Sequence, residues 1–212
     1  MHDTVRKVRK RVQDGQAPAA VVPVVSGRLQ ETGIPRALAD PLAAYAESAM
    51  LESFRWLGLA ARVAAGADPS ARPTLLGDLI MSSRHLAIVF ANLDPFLERV
   101  EDNLIDHEDT THRENKYERD VAPFSKVAAT AEFRTALEDM GIPPEIAMEA
   151  AQVEADLLKL IHLEGRLRES APAPGDMSAM ISEWRLDLRH HIGPAFGDGS
   201  RYLRALRAAA ER

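Results

Sequence analysis

The sequence predicts an all-α protein, a single-domain bundle of six to eight helices. Residues 1–30 read as a basic N-terminal segment and extended arm, and residues 31–212 as the helical domain. Three observations carry that expectation. Apolar residues recur at helical spacing, most clearly at Ile146, Ala150, Val153, Leu157 and Ile161, which share one helix face. Helix punctuation (Asp-Pro, Gly-Ile-Pro, Pro-Pro) separates the apolar segments. Sustained apolar–polar alternation, the mark of a half-buried strand, is absent.

The elements follow in order. Arg6, Lys7, Arg9, Lys10 and Arg11 form a basic cluster expected to be a solvated helix face. The segment from Ala17 to Val25 holds two prolines and reads as an extended arm; its Val21, Val22, Val24 and Val25 could pack on another subunit, which suggests a homo-oligomer. Asp40-Pro41 reads as an N-cap with Pro at N1, opening a helix to about Ala65. That helix is rich in small residues (Ala43, Ala44, Ala46, Ala49, Ala60, Ala61), which lets helices approach closely. A second helix is expected from near Pro73 to Asn92, and Asp94-Pro95 opens a third to about Asp106. Residues 107–123 are too polar to bury a face. A helix from about Ser125 to Met140 stops at Gly141, Pro143-Pro144 opens the next to about Glu169, and residues 170–175 form a linker before the Glu183 helix.

Composition excludes several classes. A net charge of −6 lacks the clustered cations of a general nucleic-acid binder, so no nucleic acid is expected as partner. No uninterrupted apolar run approaches the roughly 18 residues of a membrane span, so no membrane association is expected. With no cysteine there is no disulfide, thiolate metal site or cysteine nucleophile, which fits a cytoplasmic protein. No phosphate loop or nucleophile elbow appears.

The last thirty residues concentrate the candidate chemistry. At α-helical spacing, Trp184, Leu188 and His191 share a face with Met177, Met180 and Ile181, so His191 is expected to point inward, with His190 on the flank. Asp187, one turn earlier, could hold the second ring nitrogen. A histidine at a helix C-terminus also has a purely structural explanation, because the dipole favours a cation there. Glu154, His162 and Glu47 lie near core stripes, but the Glu-x-x-His pairs of carboxylate-bridged metal sites are missing. His107 and His112 are five apart, one too many for a His-Glu-x-x-His zinc site, and His85 reads as structural.

Trp184-Arg185, His190/His191, Ile192-Gly193, Gly197-Asp198-Gly199-Ser200 and Tyr202-Leu203-Arg204 together resemble the haem dioxygenases of the tryptophan 2,3-dioxygenase superfamily. Glu132-Phe133-Arg134 with Glu138 and Gly141, and Glu52-Ser53-Phe54-Arg55-Trp56, are similar to two further segments of that family. The resemblance implies an all-α, haem b-dependent oxygenase acting on an aromatic, indole- or amino-acid-derived small molecule. It makes His191 or His190 the axial iron ligand, because Leu188 stands four residues beyond Trp184. It places Ser48 at the distal position with Phe54 and Trp56 beside the oxygen face, and Trp184 with the ligand helix. It gives Arg134 the substrate carboxylate, and it makes Gly197, Gly199 and Ser200 a closing substrate loop. Without the resemblance, the same residues are met by a non-catalytic helical interaction, regulatory or accessory protein.

Overall fold

In the computed structural model the described residues are 3–14, 22–66, 68–105, 124, 131–172, 174–197 and 199–212. They build an all-α bundle, with no strand among them. The elements are α1 (Asp3–Gln13), α2 (Val22–Glu31), α3 (Arg36–Ala64), α4 (Arg72–Ile105), α5 (Glu132–Asp139), α6 (Pro144–Glu169) and α7 (Pro174–Asp187). The chain then makes a π-turn (Leu188–Ile192), a short α8 (Gly193–Phe196) and α9 (Arg201–Ala210).

The long helices α3 and α4 form the spine and run antiparallel, as two contacts require. Trp56 Nε1 donates to Ser83 Oγ at 2.9 Å, and the Tyr45 and Phe96 rings lie 5.0 Å apart. Ala49 and Ala60 are buried on the side of α3 that carries Tyr45 and Trp56, and small side chains there let the two helices come close. On this spine α2 and α5 pack against α3, while α9 and the π-turn pack against α4; α6 closes the bundle against α3, α5 and α9. Trp56 is fully buried where these elements meet, edge-on to Phe133 and 5.5 Å from Phe196, which in turn lies against Tyr202.

Several sequence expectations change here. Asp40-Pro41 and Asp94-Pro95 start no helix; Pro41 lies inside α3 and Pro95 inside α4. Helix α3 begins instead after Pro35, whose carbonyl accepts from the Leu38 and Ala39 amides. Asp40 is drawn off by Ser26 of α2 and by Arg36, and burial of Ala39, Leu42 and Ala43 around the proline outweighs the lost hydrogen bond. The Gly-Ile-Pro tripeptide performs the same step twice. Gly33 and Gly141 both adopt positive φ, and Ile34 and Ile142 both donate back to the carbonyl five residues earlier and are buried.

Helices α1 and α2 pack on the rest of the bundle. Helix α1 buries Val5, Val8 and Val12 against α3 and α6, while Arg6, Lys7 and Lys10 face outward. Residues 22–31, expected in part as an extended arm, are helical, with Val25 buried and Val24 exposed. The polar segment 107–123, with His107 and His112, and the start of the expected Ser125 helix fall outside the described residues. Helix α4 has an 18-residue window apolar enough, and is long enough, to cross a bilayer by length and composition alone. In the fold its Leu75, Leu76, Leu79, Leu86, Leu93, Leu97 and Val100 form core.

Candidate functional site

The predicted inward stripe of α7 is present, since Met177, Met180, Ile181, Trp184 and Leu188 are all buried. His191 does not continue it. After Leu188 the backbone widens into the π-turn, and the Gly193 amide donates to the Leu188 carbonyl, five residues back rather than four. The extra residue passes the core position to Ile192, which is fully buried, and turns His191 outward until its side chain is 43 % exposed.

That rotation delivers His191 to a partner absent from the sequence reading. Its Nδ1 lies 2.8 Å from Asp156 Oδ2 on α6 and 4.0 Å from Asp187 Oδ1, beyond hydrogen-bond range. Asp156 is buried, and its other oxygen accepts from Gln152 Nε2 at 2.8 Å. Asp187 is buried as well and is held by Lys159, whose Nζ lies 2.6 Å from Asp187 Oδ2 and 2.7 Å from Glu183 Oε1. One signal was legible: Glu145, Glu149, Gln152, Asp156 and Lys159 fall at i, i+4, i+7, i+11 and i+14 of α6. Such a polar face usually stays in water. Here its first half lines a cleft, and its second half is covered by α7 and the π-turn.

The cleft has a volume of about 590 Å³ and lies between α6, the π-turn and the start of α9. Glu145, Met148, Glu149 and Gln152 form one wall; His190, His191, Pro194, Ala195, Gly199, Ser200 and Arg201 form the other. Arg201 is paired with Glu149 across it.

Charge is unevenly balanced behind the cleft. The hydrogen bond that His191 donates to Asp156 raises His191 above its ordinary value, against partial desolvation. Burial and the neighbouring Asp156 charge push Asp187 up to about 7, although Lys159 opposes the shift. Burial pulls Lys159 down, but Asp187 and Glu183 together outweigh it and hold the ammonium above its usual range.

Asp156, Asp187 and His191 bring donor atoms within 4.8 Å of one another, a set that suits a divalent cation by ligand type. Lys159 already supplies a cation at Asp187, however, so a metal ion there would have to compete with an ammonium in place. What it leaves available is proton chemistry. A buried carboxylate at Nδ1 of a half-exposed imidazole favours a proton on that nitrogen, and the ring belongs to the cleft lining. Among the described residues the hydroxyl on the cleft wall, Ser200 Oγ, is engaged in capping α9, accepting from the Leu203 amide and donating to the Ala195 carbonyl.

The other predicted site residues are dispersed. Gly199 and Ser200 line the cleft, and Gly197 ends α8. Trp184, Phe54 and Trp56 are buried in the core rather than on the cleft, Phe54 beneath the Arg11 guanidinium. Ser48 is exposed on α3 and donates to the Ala44 carbonyl at 3.1 Å; Arg134 pairs with Glu138 at 3.4 Å on its own helix. Glu154 pairs with Arg9, His162 lies against Phe124, and His85 sits 4.0 Å from Glu52. A porphyrin needs apolar walls on both faces. The wall residues at His190 and His191 are mostly charged or polar, so this set does not fit haem.

No protein-family model, curated protein or solved structure matches the chain.

Proposed function

We propose that the chain is an acid–base catalyst acting on a small polar molecule bound in the cleft between α6 and the π-turn. One observation carries the reading: His191 lines the cleft while its Nδ1 is fixed at 2.8 Å on the buried Asp156. Asp156 sets the tautomer and stabilises the imidazolium; His191 Nε2 accepts or delivers the proton. Lys159 offsets the carboxylates behind the pair, which keeps the ring's environment from becoming more acidic still. A cleft of this volume matches a small-molecule site. The test is a screen of small carboxylates, amides and phosphoesters, followed by the ¹⁵N shifts of His191. Ligands that move Nε2 and lose affinity in His191→Gln support the reading; a screen whose hits leave His191 unmoved sinks it.

A second reading, a non-catalytic helical partner protein, is favoured by exposed apolar side chains on the spine. Met81 and Ile88 are 48 % and 61 % exposed and lie seven residues apart on one face of α4, and Leu51 on α3 is 44 % exposed. It predicts self-association in sedimentation that Ile88→Glu abolishes and that His191→Gln leaves intact.

A further inference from the structure

The π-turn is the least ordinary piece of backbone near the cleft, and one residue makes it feasible. A side chain at Gly193 would begin 2.7 Å from the Leu188 carbonyl oxygen, a separation that real Cβ atoms essentially never show. The atom it would meet is backbone, which no rotamer change can move aside. The same oxygen accepts from the Gly193 amide, so the glycine sits against the carbonyl that it bonds. We infer that Gly193 is a positioning residue: its missing side chain permits the five-residue turn from Leu188, and that turn places His191 against Asp156 at the edge of the cleft.

The sequence pattern shows what the alternative would be. In an uninterrupted α-helix the Gly193 amide would bond the Arg189 carbonyl, and His191 would follow Trp184 and Leu188 into the core. The π-turn exchanges the two neighbours, burying Ile192 and bringing His191 out to the acid. π-Turns of this kind recur at functional sites because they re-aim a side chain within an otherwise regular helix. Here the re-aimed ring meets Asp156 and, farther off, Lys159 from α6 and Asp187 from α7, and it shares the cleft lining with the Glu149–Arg201 pair. The functional meaning of the positioning rests on the acid–base reading; the positioning itself does not.

The experiment is an NMR titration of His191 in the wild type, Gly193→Ala, Asp156→Asn and the double variant. If Gly193 acts by placing the ring on Asp156, each single change lowers the His191 midpoint by a similar amount and the double variant lowers it no further than Asp156→Asn. A Gly193→Ala protein that keeps the wild-type midpoint, or a double variant in which the shifts add, overturns the inference. Should Gly193→Ala fail to fold, the wild type decides. A through-bond coupling between the Gly193 nitrogen and the Leu188 carbonyl carbon supports the turn, and a coupling to the Arg189 carbonyl instead contradicts it. Neither measurement uses a cleft ligand, so a failed ligand screen with a positive titration sinks the catalyst and leaves the positioning standing.

Discussion

Asp156 and His191, thirty-five positions apart, meet at 2.8 Å through a buried carboxylate oxygen and Nδ1 of a half-exposed ring. The aspartate comes from the buried end of a polar stripe on α6, and the histidine from a turn that breaks the helical period of α7. The histidine would turn toward the core instead of the aspartate if α7 kept its α-helical period.

Stability should fall as pH rises through neutrality. His191 is raised in the fold, so the pair contributes fully below the unfolded value of 6.5 and is lost as pH climbs through the higher folded value. Asp187 adds in the same direction. Its carboxyl is raised to about 7, so the folded state holds a proton the unfolded chain has released, and that preference disappears above about 7. Denaturant melts across this range should show the decline, and Asp187→Asn should flatten it, growing relatively more stable as the pH increases.

Lys159→Met should be severely destabilising and pH-dependent. It strips the ammonium from Asp187 and Glu183 and leaves a buried carboxylate uncompensated, a loss of about 3–5 kcal/mol when the acid is ionised. Below the Asp187 midpoint protonation relieves the charge and the penalty should shrink. Equal destabilisation at acid and alkaline pH would show that Lys159 acts only by packing.

Trp56→Phe should cost about 1–3 kcal/mol, from the lost Nε1–Ser83 hydrogen bond and the smaller ring at a fully buried junction. Ser83 keeps its bond to the Leu79 carbonyl, so the loss should stay at the lower end of core substitutions. Urea melts measure it directly.

Ser48→Ala should be silent, changing stability by less than about 0.5 kcal/mol, because the hydroxyl is exposed and donates to the Ala44 carbonyl of its own helix. It should also leave ligand binding in the cleft unaltered. A marked loss of function in this variant would point back to a site on α3.

Much of the architecture was legible because local chemistry and packing agree. Helix α6 spans Pro144–Glu169 as the Pro-Pro start and apolar stripe require, and Gly141 stops α5 with positive φ. The two Asp-Pro steps misled because a proline within a helix costs less than the core that α3 and α4 gain by running through it. The candidate site was half legible. His191, His190, Gly199 and Ser200 do gather at one cleft, but Asp156 and Lys159 lie on a polar face of α6 that its spacing alone gives no reason to bury. The outward turn of His191 could not follow from a 3.6-residue period, since the π-turn departs from that period; Gly193 was the local clue.

The most direct test of the Asp156–His191 centre is the ¹⁵N spectrum of His191 at a pH above its midpoint. The structure predicts one fixed tautomer, with the proton on Nδ1 facing Asp156 and Nε2 bare toward the cleft. A proton on Nε2, or a freely averaging ring, would contradict the centre and with it the catalytic reading.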